Sequence, residues 1–164
     1  MKKILTLALA VAFTAPILAA EDVLILATNG TYPPFSEIDG SGHMTGFDID
    51  IGLALCAQMK RECRYEQMDW ESLIPALKGK KVDALVTSMN DTPKRRESVS
   101  FTDPYYANPG LFVRAKGSNI EPTPEGVKGK TVGVLRASIF DNYVTDKFPD
   151  ANIQRYTSQE EANL

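Results

Sequence analysis

The sequence predicts an α/β protein whose parallel sheets are covered by helices, with a second unit that starts late and is incomplete. Three observations carry this. Short continuous apolar runs at residues 23–27 and 82–87 mark strands buried on both faces. These runs alternate with helical patterns across brief links, the order that builds parallel sheets. A stretch rich in Gly, Pro, Lys and Glu at residues 116–130 interrupts the alternation, which then restarts and stops inside a helix at Leu164.

The first strand, residues 23–27, ends in Thr28-Asn29-Gly30-Thr31-Tyr32-Pro33-Pro34-Phe35, a loop that two prolines stiffen. Asp39-Gly40-Ser41-Gly42 is a tight turn. From Phe47 to Met59, Phe47, Ile51, Ala54 and Leu55 recur at helical spacing, with Thr45 and Asp48 as a capping box. A strand at Cys63–Gln67, a helix at residues 72–78 and the strand at 82–87 follow. Thr92 caps a helix that begins with Pro93, and residues 110–115 are a further strand. Past the interruption come a strand at Thr131–Leu135, a helix at 138–148, a strand at 153–156 and a helix opened by the capping box of Ser158 and Glu161. One strand-helix-strand unit cannot cover both faces of a sheet, so the chain reads as part of something longer.

The first twenty residues stand apart. Met1-Lys2-Lys3 is a basic start, residues 4–13 are apolar, and Pro16 is followed by small residues up to Ala19-Ala20. That is a secretory signal, with cleavage expected after Ala20. Its loss takes the basic residues from 18 to 16 against 21 acidic ones, a net charge near −5. With no basic stripe to neutralise phosphates, a nucleic-acid partner is disfavoured. Export to an oxidising compartment favours a disulfide between Cys56 and Cys63 over two free thiols. Zinc is disfavoured, because the single histidine, His43, sits in a turn without a second ligand pair. Gly129-Lys130-Thr131 mimics a phosphate loop, but Pro124 stands where its first glycine belongs and a strand follows where a helix must open. No Ser/His/Asp or Cys/His set offers an activated nucleophile, and neither cofactor nor metal is expected.

The loop Thr28-Asn29-Gly30-Thr31-Tyr32-Pro33-Pro34-Phe35, Gly46-Phe47-Asp48-Ile49-Asp50 and Trp70-Glu71-Ser72-Leu73-Ile74-Pro75-Ala76-Leu77 carry a resemblance. It extends through Lys81-Val82-Asp83-Ala84, Thr92-Pro93-Lys94-Arg95-Arg96, Phe101-Thr102-Asp103-Pro104-Tyr105-Tyr106 and Gly129-Lys130-Thr131-Val132-Gly133-Val134. In order and spacing these resemble the periplasmic amino-acid-binding proteins of ABC importers, and within them the lysine/arginine/ornithine- and histidine-binding group. The resemblance implies a two-lobe periplasmic binding protein fold with a ligand cleft between lobes. Residues 21–109 would form lobe one and 110–164 the start of lobe two. It also implies the short disulfide Cys56–Cys63, a periplasmic location, a free polar or basic amino acid as ligand, a permease partner in the inner membrane, and a monomer.

The resemblance assigns ligand-binding roles that physical chemistry can rationalise. Arg95 would hold the ligand α-carboxylate in its two-pronged guanidinium, although an exposed helical arginine is the ordinary alternative. Thr87 and Ser88 would face the crevice at the carboxyl edge of a sheet. Tyr32 and Trp70 would sandwich the ligand side chain, with core packing as the rival for Trp70. Ser138 would cap a helix whose free N–H groups suit a carboxylate. Asp48 and Asp50 are assigned to helix capping and the surface.

Three positions depart from the family pattern. Asn29 stands where cationic-ligand relatives have an acid, Asn90 where Ser or Thr is common, and Ile139 where a second hydroxyl often follows. A lobe-two carboxylate for the ligand ammonium is expected beyond Leu164, so weak binding is expected of residues 1–164 alone. The rival functions are a sensor ectodomain, which needs a following membrane helix, and a dehydratase on the same fold, which needs a cleft acid or base.

Overall fold

The computed structural model describes residues 23–164; the expected signal segment lies outside the described residues. The described residues open with β1 (Leu24–Thr28) and a small antiparallel sheet of β2 (Thr31–Tyr32), β3 (Ser36–Ile38) and β4 (Met44–Thr45). Helix α1 (Phe47–Met59), β5 (Cys63–Gln67), a 3-10 turn at Trp70–Ser72, α2 (Leu73–Lys78), β6 (Ala84–Leu85) and the single turn α3 (Pro93–Arg96) follow. After residues 97–123 come α4 (Pro124–Val127), β7 (Thr131–Leu135), α5 (Ile139–Lys147), β8 (Asn152–Tyr156) and α6 (Gln159–Asn163).

β1 is the centre of a parallel sheet in the order β5-β1-β6, with Leu24 beside Cys63 and Leu26 beside Ala84. Successive side chains on a strand point to opposite faces, which explains its unbroken apolar run. Leu26 packs with Cys56 and Val86 on one side, while Ala27 packs with Leu73, Ala76 and Val82 on the other. Leu73 is fully buried, and truncating it to alanine should cost about 2–5 kcal/mol. β7 and β8 form a separate parallel pair over a core of Val127, Val134, Val144 and Phe148.

Cys56 and Cys63 form the expected disulfide, joining α1 to the first residue of β5. The bounds of α1 also match the expectation, but its buried face does not. Asp48, Ile49, Gly52 and Cys56 point inward, whereas Phe47 and Leu55 are 38% and 53% exposed. The helix is apolar nearly all round, so hydrophobic spacing alone does not select a side. Gly52 does: a Cβ there would lie 1.9 Å from the Tyr65 hydroxyl, so only glycine lets α1 sit this close to β5. The capping box is corrected too. Thr45 belongs to β4, Gly46 occupies the cap position without a side-chain bond, and Asp48 is buried rather than on the surface.

Two strands differ from expectation. β6 is assigned over Ala84–Leu85 alone, although its edge bonds run from Asp83 N–H to Ile25 O (2.8 Å) and from Val86 N–H to Ala27 O (3.0 Å). Residues 110–115 are irregular, with Leu111 and Val113 82% and 91% exposed. An apolar run becomes a strand only when a neighbour takes up its N–H and C=O groups, and no ladder partner lies beside it among the described residues.

Candidate functional site

The parallel strands β1, β6 and β7 end around one cavity, as crevices at the carboxyl edge of α/β sheets do. The structure brings Asn29, Tyr32, Trp70, Thr87, Ser88, Asn90, Arg95 and Ser138 to its wall, with Asn108, Leu135, Ile139, Phe140 and Gln159. All eight residues singled out in the sequence meet there, although they span 110 positions of the chain. The five others were not singled out as ligand contacts. Asn108 lies in an irregular segment, and Phe140 and Gln159 are first-turn residues of helices, so no periodicity marks them.

Arg95 sits in α3, whose start is fixed by Pro93 and by Thr92 Oγ1 accepting from Arg95 N–H at 3.2 Å. Its guanidinium donates to Asn90 O at 2.8 Å and lies 5.4 Å from the Trp70 ring centre. Burial lowers its pKa, yet an arginine stays protonated at neutral pH. Among the described residues Arg95 pairs with no carboxylate, whereas its neighbour Arg96 is held by Asp91. Arg95 is also the single charged side chain on the cavity wall among the described residues.

The polar wall is organised by hydrogen bonds. Asn29 is buried at the end of β1; it donates to Thr31 Oγ1 at 3.1 Å and accepts from Ser36 and Thr87 hydroxyls at 3.4 Å. Asn90 and Asn108 bond reciprocally, Asn108 Nδ2 to Asn90 Oδ1 at 2.8 Å and Asn90 Nδ2 to Asn108 O at 3.2 Å. Tyr32 stacks on Phe35 at 5.2 Å, and desolvation leads the causes that raise its pKa. Trp70 packs partly against the Leu73 core and donates to Ala137 O at 3.5 Å, so it is both core and cavity wall.

Ser138 caps α5 on the opposite wall. Its Oγ accepts from Asp141 N–H at 3.0 Å, and the Asp141 carboxylate accepts from Ala137 N–H at 3.1 Å and from Arg155 at 2.8 Å. The helix thus turns its N-terminal end toward the cavity, where its partial positive charge adds to that of Arg95. A half-buried guanidinium facing a helix N-terminus across a cleft of amides, hydroxyls and aromatic rings suits a small anionic or zwitterionic solute. Among the described residues no group of His, Cys, Asp and Glu is placed to hold a metal ion.

Residues 24–161 match the model of the bacterial extracellular solute-binding proteins, family 3. The chain belongs to that family. It is 41% identical to an L-arginine-binding protein of Pseudomonas aeruginosa, over 100% of this chain and 65% of that protein. Among solved structures it is similar to a Salmonella typhimurium periplasmic binding protein of high arginine specificity, at 37% identity and a TM-score of 0.77. That match covers 86% of this chain and 62% of the other. An ancestral amino-acid-binding protein, a precursor of cyclohexadienyl dehydratase, matches at 29% identity and a TM-score of 0.79, over 86% of this chain and 63% of its own. The chain therefore has the α/β fold of periplasmic binding proteins and spans about two thirds of the length of these relatives.

Proposed function

We propose that this chain belongs to an exported binding protein that captures a free polar or basic amino acid in the periplasm and presents it, as a monomer, to an ABC permease of the inner membrane. In this reading residues 21–109 are one lobe and 110–164 the start of the second, with the cavity between them. The carrying observation is Arg95, a half-buried cation on the cavity wall that no protein carboxylate neutralises among the described residues. A bidentate guanidinium of this kind is completed by an external carboxylate. Ser138 and the N-terminal end of α5 support the same anion from the far wall. Binding without turnover is favoured because the polar groups on the wall are amides, hydroxyls and one guanidinium, none of them poised as a general base.

Isothermal titration of L-arginine, L-lysine, L-histidine and L-glutamine into the full-length protein tests this. At least one should bind with micromolar affinity or better. Absence of heat with all four, in a protein shown to be folded, would contradict the proposal.

A further inference from the structure

Asp48 is not on the cavity wall, yet its side chain is fully buried in the first turn of α1. Its Oδ1 accepts from the Tyr105 hydroxyl at 2.8 Å and from Ser88 Oγ at 3.0 Å, while Oδ2 is buried with no partner. Burial raises its pKa despite those two donors. The Tyr105 hydroxyl in turn accepts from Ser88 N–H at 3.3 Å, and Asn108 Nδ2 donates to Ser88 O at 3.4 Å. Three polar atoms of one cavity residue are therefore held by groups distant in sequence.

Ser88 needs holding. Its φ of 48° is left-handed, a conformation that costs a residue with a side chain about 1–2 kcal/mol. It directly follows Thr87, at the point where the chain leaves the sheet and bends around the cavity. We propose that Asp48 and Tyr105 are positioning residues for the binding site: together they clamp Ser88 in its left-handed backbone and draw its hydroxyl proton into the Asp48 carboxylate. The Ser88 oxygen then faces the cavity as an acceptor alone, the polarity that receives a solute ammonium and repels a carboxylate. The carboxylate is left to Arg95. The clamp also ties the segment containing Tyr105 and Asn108 to the cavity floor.

This rests on the cavity being an amino-acid site. The test measures L-glutamine and L-arginine affinity of the full-length protein and its Tyr105→Phe, Asp48→Asn and Asp48→Ala variants. A second readout is hydrogen exchange of the Ser88 amide by NMR. Tyr105→Phe should weaken binding about tenfold and speed Ser88 exchange, since the bond to Asp48 and the acceptor of the Ser88 N–H are both lost. Asp48→Asn keeps an oxygen acceptor and should stay within about threefold of the parent, where Asp48→Ala loses about tenfold or more. In a Ser88→Gly background, glycine adopts the backbone unaided and has no hydroxyl to orient, so Tyr105→Phe should matter less than about twofold.

Parent-like affinity of folded Tyr105→Phe, or equal losses in both backgrounds, would overturn the clamp while leaving the amino-acid reading intact. If the parent binds neither amino acid, that reading fails instead. Unchanged Ser88 exchange in Tyr105→Phe would then refute the clamp by itself.

Discussion

Residues 23–109 and 110–164 contribute to one cavity in different ways. The first region surrounds β1 with cores on both faces, staples α1 to β5 by a disulfide, and supplies Arg95 and most of the amide and hydroxyl groups. The second supplies the capped start of α5 and an apolar wall of Leu135, Ile139 and Phe140, and it leaves Leu111 and Val113 in solvent. The cavity's one charged side chain among the described residues thus sits on the stapled region, and an apolar wall with a helix N-terminus sits opposite it. The contrast predicts unequal sensitivity to substitution on the two walls.

The largest effect should come from Arg95→Ala. Leaving a ligand carboxylate unpaired costs about 2–5 kcal/mol, some thirtyfold to several thousandfold in affinity. Arg96→Ala, one residue along but exposed and paired with Asp91, should leave affinity unchanged in the same titration. Equal losses would mean that α3 acts through its fold rather than through one guanidinium.

Replacing Cys56 and Cys63 together by alanine should destabilise the protein by about 2–3 kcal/mol in urea unfolding. Thiol labelling of the denatured parent should find no free thiol until reductant is added. Labelling without reductant would remove the staple from the comparison.

Asn29→Asp sharpens the comparison on ligand chemistry. A carboxylate on the cavity wall should tighten L-arginine and L-lysine relative to L-glutamine by about tenfold, ~1.4 kcal/mol. An unchanged ranking across the panel would show that Asn29 serves only its bonds to Thr31, Ser36 and Thr87.

The smallest effect belongs to the second wall. Ser138→Ala removes one cap bond and should cost about 1 kcal/mol of stability. Its affinity loss should stay below about tenfold, because backbone N–H groups of α5 remain. A loss as large as that of Arg95→Ala would invert the assigned roles.

Much of this was legible in the sequence, for identifiable reasons. Thr92-Pro93, Ser138 and Ser158 with Glu161 start helices because local capping chemistry decides them, and each does so in the structure. The face of α1 was not legible, since the close approach of Tyr65 to Gly52 and the burial of Asp48 are long-range facts. The two- and three-residue strands β2, β3 and β4 are too short to show a period. Residues 110–115 have strand composition, but composition cannot supply a neighbouring strand. The site residues came from family motifs; neither Asn108 nor the Asp48 clamp has a local signature.

The most direct test of the central claim compares an amino acid with its α-carboxamide. The probe is whichever of the four amino acids binds tightest, titrated into the parent and into Arg95→Ala. If Arg95 grips the α-carboxylate, amidation should abolish most of the affinity in the parent and change little in the variant. An amide that binds the parent as well as the free acid would contradict the account.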